Sequence, residues 1–449
     1  MKLNSEINLE ITAVTNEGCG VGRADSIAVF VPNTVTGDIV RAKINKVGKN
    51  FLSAEPIKII TPSKYRIKEK CSHASSCGGC AFWHIDYKEE LEIKRGFVRD
   101  AFTRIGKLSV PVNDVIFGES EHYRNKAQYP VAQNGKTGFY AKRSHTIIPC
   151  DDCLLQPEDF SKVQKLIELF VKQYSISVYN EKTGKGLLRH LYIRTSCEGD
   201  IMVVLVINGE NLPHSDTFIE MLKSVFSDKL KSVMLNINRD NTNVVLGKTN
   251  KVLYGQGYIE DEICGVRLRV SPMSFSQVNH NMAEKLYKKA ADYANPKGRT
   301  VIDLYCGTGA IGLSIAKRAK SVIGVEIVPD AIKDAEYNAK ANGVENARFI
   351  CADAAKAAEK LRDEGIKSDV VIVDPPRKGC DKEVLEIIAN NFCPQTLVYV
   401  SCDPATLARD CKILSELGYK TVEATPVDLF PRTPHIETAA LLVRTVSAI

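Results

Sequence analysis

The chain has 449 residues, 44% hydrophobic and 25% charged, enough for two or three folded domains and without the bias of a disordered protein. No apolar run approaches the roughly 20 residues of a bilayer span, and the first residues lack the apolar core of a signal peptide, so a cytosolic protein is expected. Net charge is +6: residues 1–60 carry 7 basic and 6 acidic side chains, residues 61–150 carry 15 and 9, and the remainder sums to −1. The local excess suits a polyanionic partner or an ordinary solvated surface. Fourteen cysteines in such a compartment point to metal binding, catalysis or plain burial rather than to disulfides.

From Ile7 to Thr61 the sequence alternates in short stretches broken by Gly18, Gly20, Gly22, Pro32 and Gly37, the pattern of a small all-β barrel. Glu17 to Arg23, followed by Val29 to Pro32 and Gly37 to Val40, resembles a TRAM domain, an OB-like RNA-binding barrel, which is expected over residues 1–62. Arg41, Lys43, Lys46 and Lys49 supply basic charge near its end.

A central α+β domain is expected over residues 63–270. It opens with Cys71-x5-Cys77-Gly78-Gly79-Cys80, and Cys150 and Cys153 follow later. Three cysteines within ten residues, joined by a glycine pair, can wrap one thiolate-bound centre that a distant fourth closes. Zinc and a [4Fe–4S] cluster both suit such ligands, and spacing leaves Cys150 open as the fourth. Tyr87 to Gly106 reads as a charged surface helix packed on a neighbouring domain. Glu121 to Pro130 and Gly138 to His145 interleave basic and aromatic residues on predicted strands, a mixture that can stack bases and hold phosphates but is more often half-buried scaffold; RNA contact by Arg124, Lys126 and Arg143 is what the resemblance to RNA-modifying enzymes implies. Residues 160–257 alternate helix and strand and carry no recognisable chemistry.

A last domain is expected over residues 271–449, an α/β Rossmann-like fold. Val301 to Leu304 reads as a strand running into Tyr305-Cys306-Gly307-Thr308-Gly309, where the glycines let a nucleotide-like ligand approach a helix start. Gly312 completes the dinucleotide spacing by chance. A second strand ends in Glu326, placed to bond both ribose hydroxyls, and a third element ends in Asp353, an adenine contact. Two further apolar runs end in proline-bearing turns, Asp374-Pro375-Pro376-Arg377 and Ser401-Cys402-Asp403-Pro404, so two neighbouring strands should present Asp374 and Cys402 to one crevice. Glu437 lies just before the terminal strand, while Cys306, Cys351, Cys380, Cys393 and Cys411 read as structural.

Asp303 through Gly309, then Glu326, Asp353 and Asp374-Pro375-Pro376, resemble the motif series of class I S-adenosylmethionine-dependent methyltransferases. With Ser401 to Thr406 and His435-Ile436-Glu437-Thr438, the set resembles the RNA uracil-5 methyltransferases, and the cysteine pattern resembles the [4Fe–4S] site of their bacterial ribosomal type. That resemblance implies Cys71, Cys77, Cys80 and Cys153 as cluster ligands. It implies Gln277, Tyr305, Glu326 and Asp374 as S-adenosylmethionine contacts. Methylation of carbon 5 needs a nucleophile at carbon 6 to make carbon 5 electron-rich, and Cys402 fills that role, with Asp374 assisting and Glu437 removing the carbon 5 proton. The expected partner is 23S ribosomal RNA, bound by a monomer, with no membrane and no DNA. Runner-up readings are tRNA uracil-5 methylation, RNA cytosine-5 methylation, and a non-catalytic iron–sulfur RNA-binding factor.

Overall fold

The computed structural model describes residues 2–445. Five strands, Glu6–Val14, Cys19–Ala24, Ile27–Pro32, Ile39–Val47 and Phe51–Thr61, close into a barrel. Alternation decides its inside: Ile39–Val47 buries Val40, Ala42 and Ile44 while Arg41 and Lys43 face solvent. A Cβ on Gly20 would stand 2.0 Å from Thr34 Oγ1, so this strand position admits only glycine.

The central sheet runs Thr249–Gly255, Leu230–Ile237, Ile201–Ile207, Leu188–Thr195, Lys126–Pro130. One face packs on helices Glu158–Gln173 and Ser215–Phe226. From the other face Tyr192, Met202, Val204 and Met234 join a core shared with the hairpin Ile259–Ile263/Val266–Val270 and helix His280–Ala294. That hairpin precedes the domain start expected at residue 271, yet it packs in one core with residues of both the central and the C-terminal sheets.

The C-terminal sheet has seven strands in the order Ala347–Cys351, Ser321–Glu326, Thr300–Leu304, Val370–Val373, Thr396–Ser401, Glu437–Arg444, Tyr419–Val427. Its first five strands are parallel, and the last two close it as an antiparallel hairpin. Val370–Val373 is buried throughout, as expected of a strand covered by helices on both faces. Strand order reverses on either side of Thr300–Leu304, and crevices form at the carboxyl ends of strands around such a switch point. No helix among the described residues is long and apolar enough to cross a membrane.

The segment read as a surface helix differs from expectation. It is α-helical over Tyr87–Ala101, ends in a π-helical turn Phe102–Gly106, and stops at left-handed Lys107. Leu91, Val98, Ala101 and Phe102 pack with Leu407, Ala408 and Leu414 of helix Pro404–Glu416. Its charged residues Glu90 and Lys94 are wholly buried, because their partners arrive from the opposite end of the chain.

Candidate active site and cysteine centre

At the carboxyl ends of the parallel strands lies a crevice of about 800 Å³. Asp374, Cys402 and Glu437 all line it, together with Gln277, Tyr305, Glu326 and Asp353. Asp374 follows Val370–Val373 and Cys402 follows Thr396–Ser401, and these strands are parallel neighbours. Glu437 reaches the same place from the antiparallel partner, on which Thr438 pairs with Ser401.

Each turn has a local cause. After Cys402, Asp403 caps helix Pro404–Glu416 by accepting the backbone N–H of Ala405 (2.8 Å) and Thr406 (3.0 Å), and Pro404 occupies the first turn. Ser401 Oγ accepts from the Asp403 N–H at 3.1 Å, which fixes the backbone on both sides of the cysteine. Tyr305 takes φ 63°, a conformation a bulky residue adopts only where its surroundings impose it. Gly307 and Gly309 follow, also at positive φ. The Gly312 N–H donates to Asp303 Oδ2 at 3.0 Å, and a Cβ there would sit a tight 3.0 Å from that oxygen.

Glu326 accepts from the N–H groups of Gly307 (3.2 Å), Ile327 (2.8 Å) and Val328 (3.0 Å), tying the glycine turn to the end of the second strand. Asp353 caps helix Ala354–Asp363 through the Lys356 N–H at 2.9 Å while remaining on the crevice wall.

Electrostatics separate three acidic groups from ordinary surface groups. Burial alone pushes Asp374 up to about 7. Burial, and then the charge of Asp374, pushes Glu437 up to about 8, with the Arg377 guanidinium opposing. Burial, followed by the charge of Glu437, pushes the Cys402 thiol up to about 11, again against Arg377. Two neighbouring carboxyls held near neutrality beside a thiol form a proton-handling set. Arg377 acts on Cys402, Glu437 and His435 alike, a role its motif did not disclose.

A raised carboxyl pKa is also a stability statement. The folded state binds more protons than the unfolded state between about pH 4.5 and about pH 8, so ionising Glu437 costs stability as pH rises through that window. Glu437→Gln should therefore raise the thermal midpoint at pH 8, with the gain shrinking toward pH 5. Equal or lower midpoints at pH 8 would show that Glu437 folds without this strain.

Of the three basic residues read as RNA contacts, Arg124 and Lys126 line the same crevice. Burial, then Arg194 and Arg124, brings Lys126 down to about 8. They come inward because the Asn125 N–H donates to Val278 O (2.8 Å) and the Arg124 N–H to Leu155 O (2.8 Å), knitting this stretch to the segment that carries Gln277. Arg143 lies elsewhere, in a shallow groove with Lys142, Gly78 and Gly79. Cys380 is structural, as expected: its N–H donates to Asp410 Oδ2 (2.9 Å) and it lies buried beside Tyr399.

Burial raises the thiol pKa of Cys71, Cys77 and Cys80, and the charge of Cys153 adds to the rise in each. Cys150 lies among His73, Asp152 and Cys153: its Sγ is 3.7 Å from Asp152 Oδ1 and it shares a side-chain hydrogen bond with Cys153. Among the described residues, the side chains that converge as a metal site would require are His73, Cys150 and Asp152, and Cys197, Asp261 and His280, not the four cysteines expected as cluster ligands. The glycine pair lets the loop run close to its neighbour, since a Cβ on Gly78 would stand 2.9 Å from Tyr140 O. Four thiols remain the ligand chemistry of a thiolate-bound centre.

The same features recur in known proteins. Residues 86–445 match the tRNA (uracil-5-)-methyltransferase family model and residues 2–57 the TRAM domain. Proteins named as RNA methyltransferases are similar over nearly the whole length. One from Caldanaerobacter subterraneus is 45% identical over 450 residues, 99% of each chain. One from Clostridium acetobutylicum is 46% identical over 453 residues, 99% of this chain and 98% of its own. Among solved structures, the tRNA (uracil-54, C5)-methyltransferase of Pyrococcus abyssi in complex with S-adenosyl-L-homocysteine superposes with a TM-score of 0.79 at 27% identity, covering 97% of this chain and all of that one. A TRAM barrel and a crevice holding Asp374, Cys402 and Glu437 thus stand on a chain that belongs to the RNA uracil-5 methyltransferase family.

Proposed function

We propose that this protein methylates carbon 5 of a uridine in 23S ribosomal RNA through a covalent adduct on Cys402. The convergence of Cys402, Glu437 and Asp374 at one crevice carries this reading. Gln277, Tyr305, Glu326, Asp353 and Asp374 hold S-adenosylmethionine, which supplies the electrophilic methyl group. The Cys402 sulfur, once deprotonated, adds to carbon 6 of a flipped uracil, and the displaced π electrons form an enolate. S-adenosylmethionine, held by these residues, would supply the methyl group to the electron-rich carbon 5. Glu437 removes the proton left on carbon 5. The electrons of that C–H bond restore the double bond and expel the Cys402 thiolate. Asp374 holds the polar edge of the base and the cofactor beside the thiol, while Arg377 favours the charged form of Cys402. Arg124 and Lys126 contact RNA from the crevice wall and Arg143 from the groove beside the cysteine loop.

The TRAM barrel together with Cys71, Cys77, Cys80 and Cys153, read as holding a [4Fe–4S] cluster, favours a ribosomal substrate by resemblance to that bacterial type. A tRNA substrate is the second reading, favoured by full-length likeness to the tRNA-acting protein of Pyrococcus abyssi. Transfer of radiolabelled methyl to transcribed 23S RNA and to tRNA, followed by mass mapping, decides between them. 5-Methyluridine in the ribosomal transcript alone is expected. Methylation confined to tRNA would overturn the ribosomal assignment, and 5-methylcytidine would overturn the base assignment.

A further inference from the structure

Residues 428–436 join the last two strands of the C-terminal sheet and deliver Glu437 to the crevice. Connecting loops normally run over the surface, where water satisfies their backbone, yet most of this one is buried. Its carbonyls are met by groups from four other parts of the chain. Asn279 Nδ2 donates to Leu429 O (3.2 Å), Lys94 Nζ to Phe430 O (3.1 Å), and Tyr123 Oη to Pro431 O (2.9 Å). The Ala81 and Phe82 N–H groups, directly after Cys80, donate to Arg432 O at 2.9 and 3.1 Å.

A fully buried charge cluster closes the same clamp. Lys94 Nζ donates to Glu90 Oε1 (2.8 Å) and Asp428 Oδ1 (2.7 Å). The Arg432 N–H donates to Glu90 Oε1 (2.7 Å), and Tyr87 Oη to Asp428 Oδ2 (3.0 Å). Two cations face two carboxylates, so the cluster is neutral as a whole. Replacing such charges with apolar residues often leaves a protein no less stable, so the cluster is poor evidence of a stability device. What it does fix is the path of one loop, with Arg432 held at φ 67° five residues before Glu437.

We propose that Lys94 and Asp428 are positioning residues for Glu437, holding the 428–436 loop so that the carboxylate meets the carbon 5 proton. This rests on the reading of Glu437 as the base. Neither residue lines the crevice, so substrate and cofactor affinity should not depend on them.

The test is the double variant Lys94→Met/Asp428→Asn, which removes one charge of each sign and leaves the Glu90–Arg432 pair balanced. With intact circular dichroism, kcat should fall about 10²-fold, the loss expected of a reacting group displaced by about 1 Å. Equilibrium Kd for RNA and for S-adenosylmethionine, each measured without the other, should stay within about twofold, and methylated RNA should accumulate covalently bound to the protein on denaturing gels. A purely structural role would lower the thermal midpoint without trapping the adduct, and that result, or an unchanged kcat, would overturn the proposal. If the double variant does not fold, Tyr87→Phe removes only the bond to Asp428. Partial trapping is then expected, and none would refute the assignment. Glu437→Gln on the same gel separates the two claims: no trapped adduct there defeats the base reading itself, whereas trapping there alone defeats only the positioning role.

Discussion

Cys402→Ala is expected to abolish methyl transfer, by at least about 10⁴-fold in kcat, while binding of S-adenosylmethionine and RNA should persist. The loss is large because carbon 5 of uracil has no nucleophilic character until a sulfur adds at carbon 6. No other side chain in the crevice can make that bond in its place. Cys306 lines the crevice too, but burial and the charges of Asp303 and Glu326 keep its thiol strongly protonated. Cys380 is 4% exposed and sits within the Tyr399–Asp410 network. Single-turnover transfer of labelled methyl measures the effect. Retention of more than about a hundredth of the parent rate would mean a different nucleophile.

The second large effect concerns the cysteine centre. Anaerobically purified protein should be brown and contain iron and sulfide at about four each per chain, as a [4Fe–4S] cluster requires. On the proposed ligand set Cys153→Ser should bleach it and Cys150→Ser should leave the colour; Cys150 is the competitor, since it lies against Asp152 and Cys153. A colourless protein with stoichiometric zinc contradicts the cluster, and bleaching by Cys150→Ser alone contradicts the choice of fourth ligand.

Sequence reached furthest where chemistry is delivered by local pattern. An apolar run that ends in a proline-bearing turn marks the carboxyl end of a buried parallel strand, so Asp374 and Cys402 could be placed on neighbours before any coordinates were known. Glu326 ends the second strand in a comparable way, Glu437 was legible only as a carboxylate just before the terminal strand, and the glycine-broken alternation of the first 60 residues anticipated a barrel. What could not be read depends on partners remote in the chain. Glu90 and Lys94 read as an ordinary solvated i,i+4 pair on a surface helix, and the further carboxylate that joins them in burial, Asp428, lies 334 residues beyond Lys94. Arg124 and Lys126 read as open surface because the contacts that turn them inward come from residues 155 and 278. Gly312 looked accidental since its N–H meets a single carboxylate on the preceding strand. The hairpin at 259–270 packs in one core with residues of both the central and the C-terminal sheets, a sharing that composition does not reveal.

The division of labour between Cys402 and Glu437 is tested most directly by incubating labelled RNA and S-adenosylmethionine with each variant and resolving the products on a denaturing gel. On the proposed mechanism Cys402 opens the reaction and Glu437 closes it, so the two losses should leave different species. Glu437→Gln should give a retarded band of RNA carrying one new methyl group and bonded to protein, and Cys402→Ala should give none. A retarded band with Cys402→Ala, or free methylated RNA released at the parent rate by Glu437→Gln, would contradict the assignment.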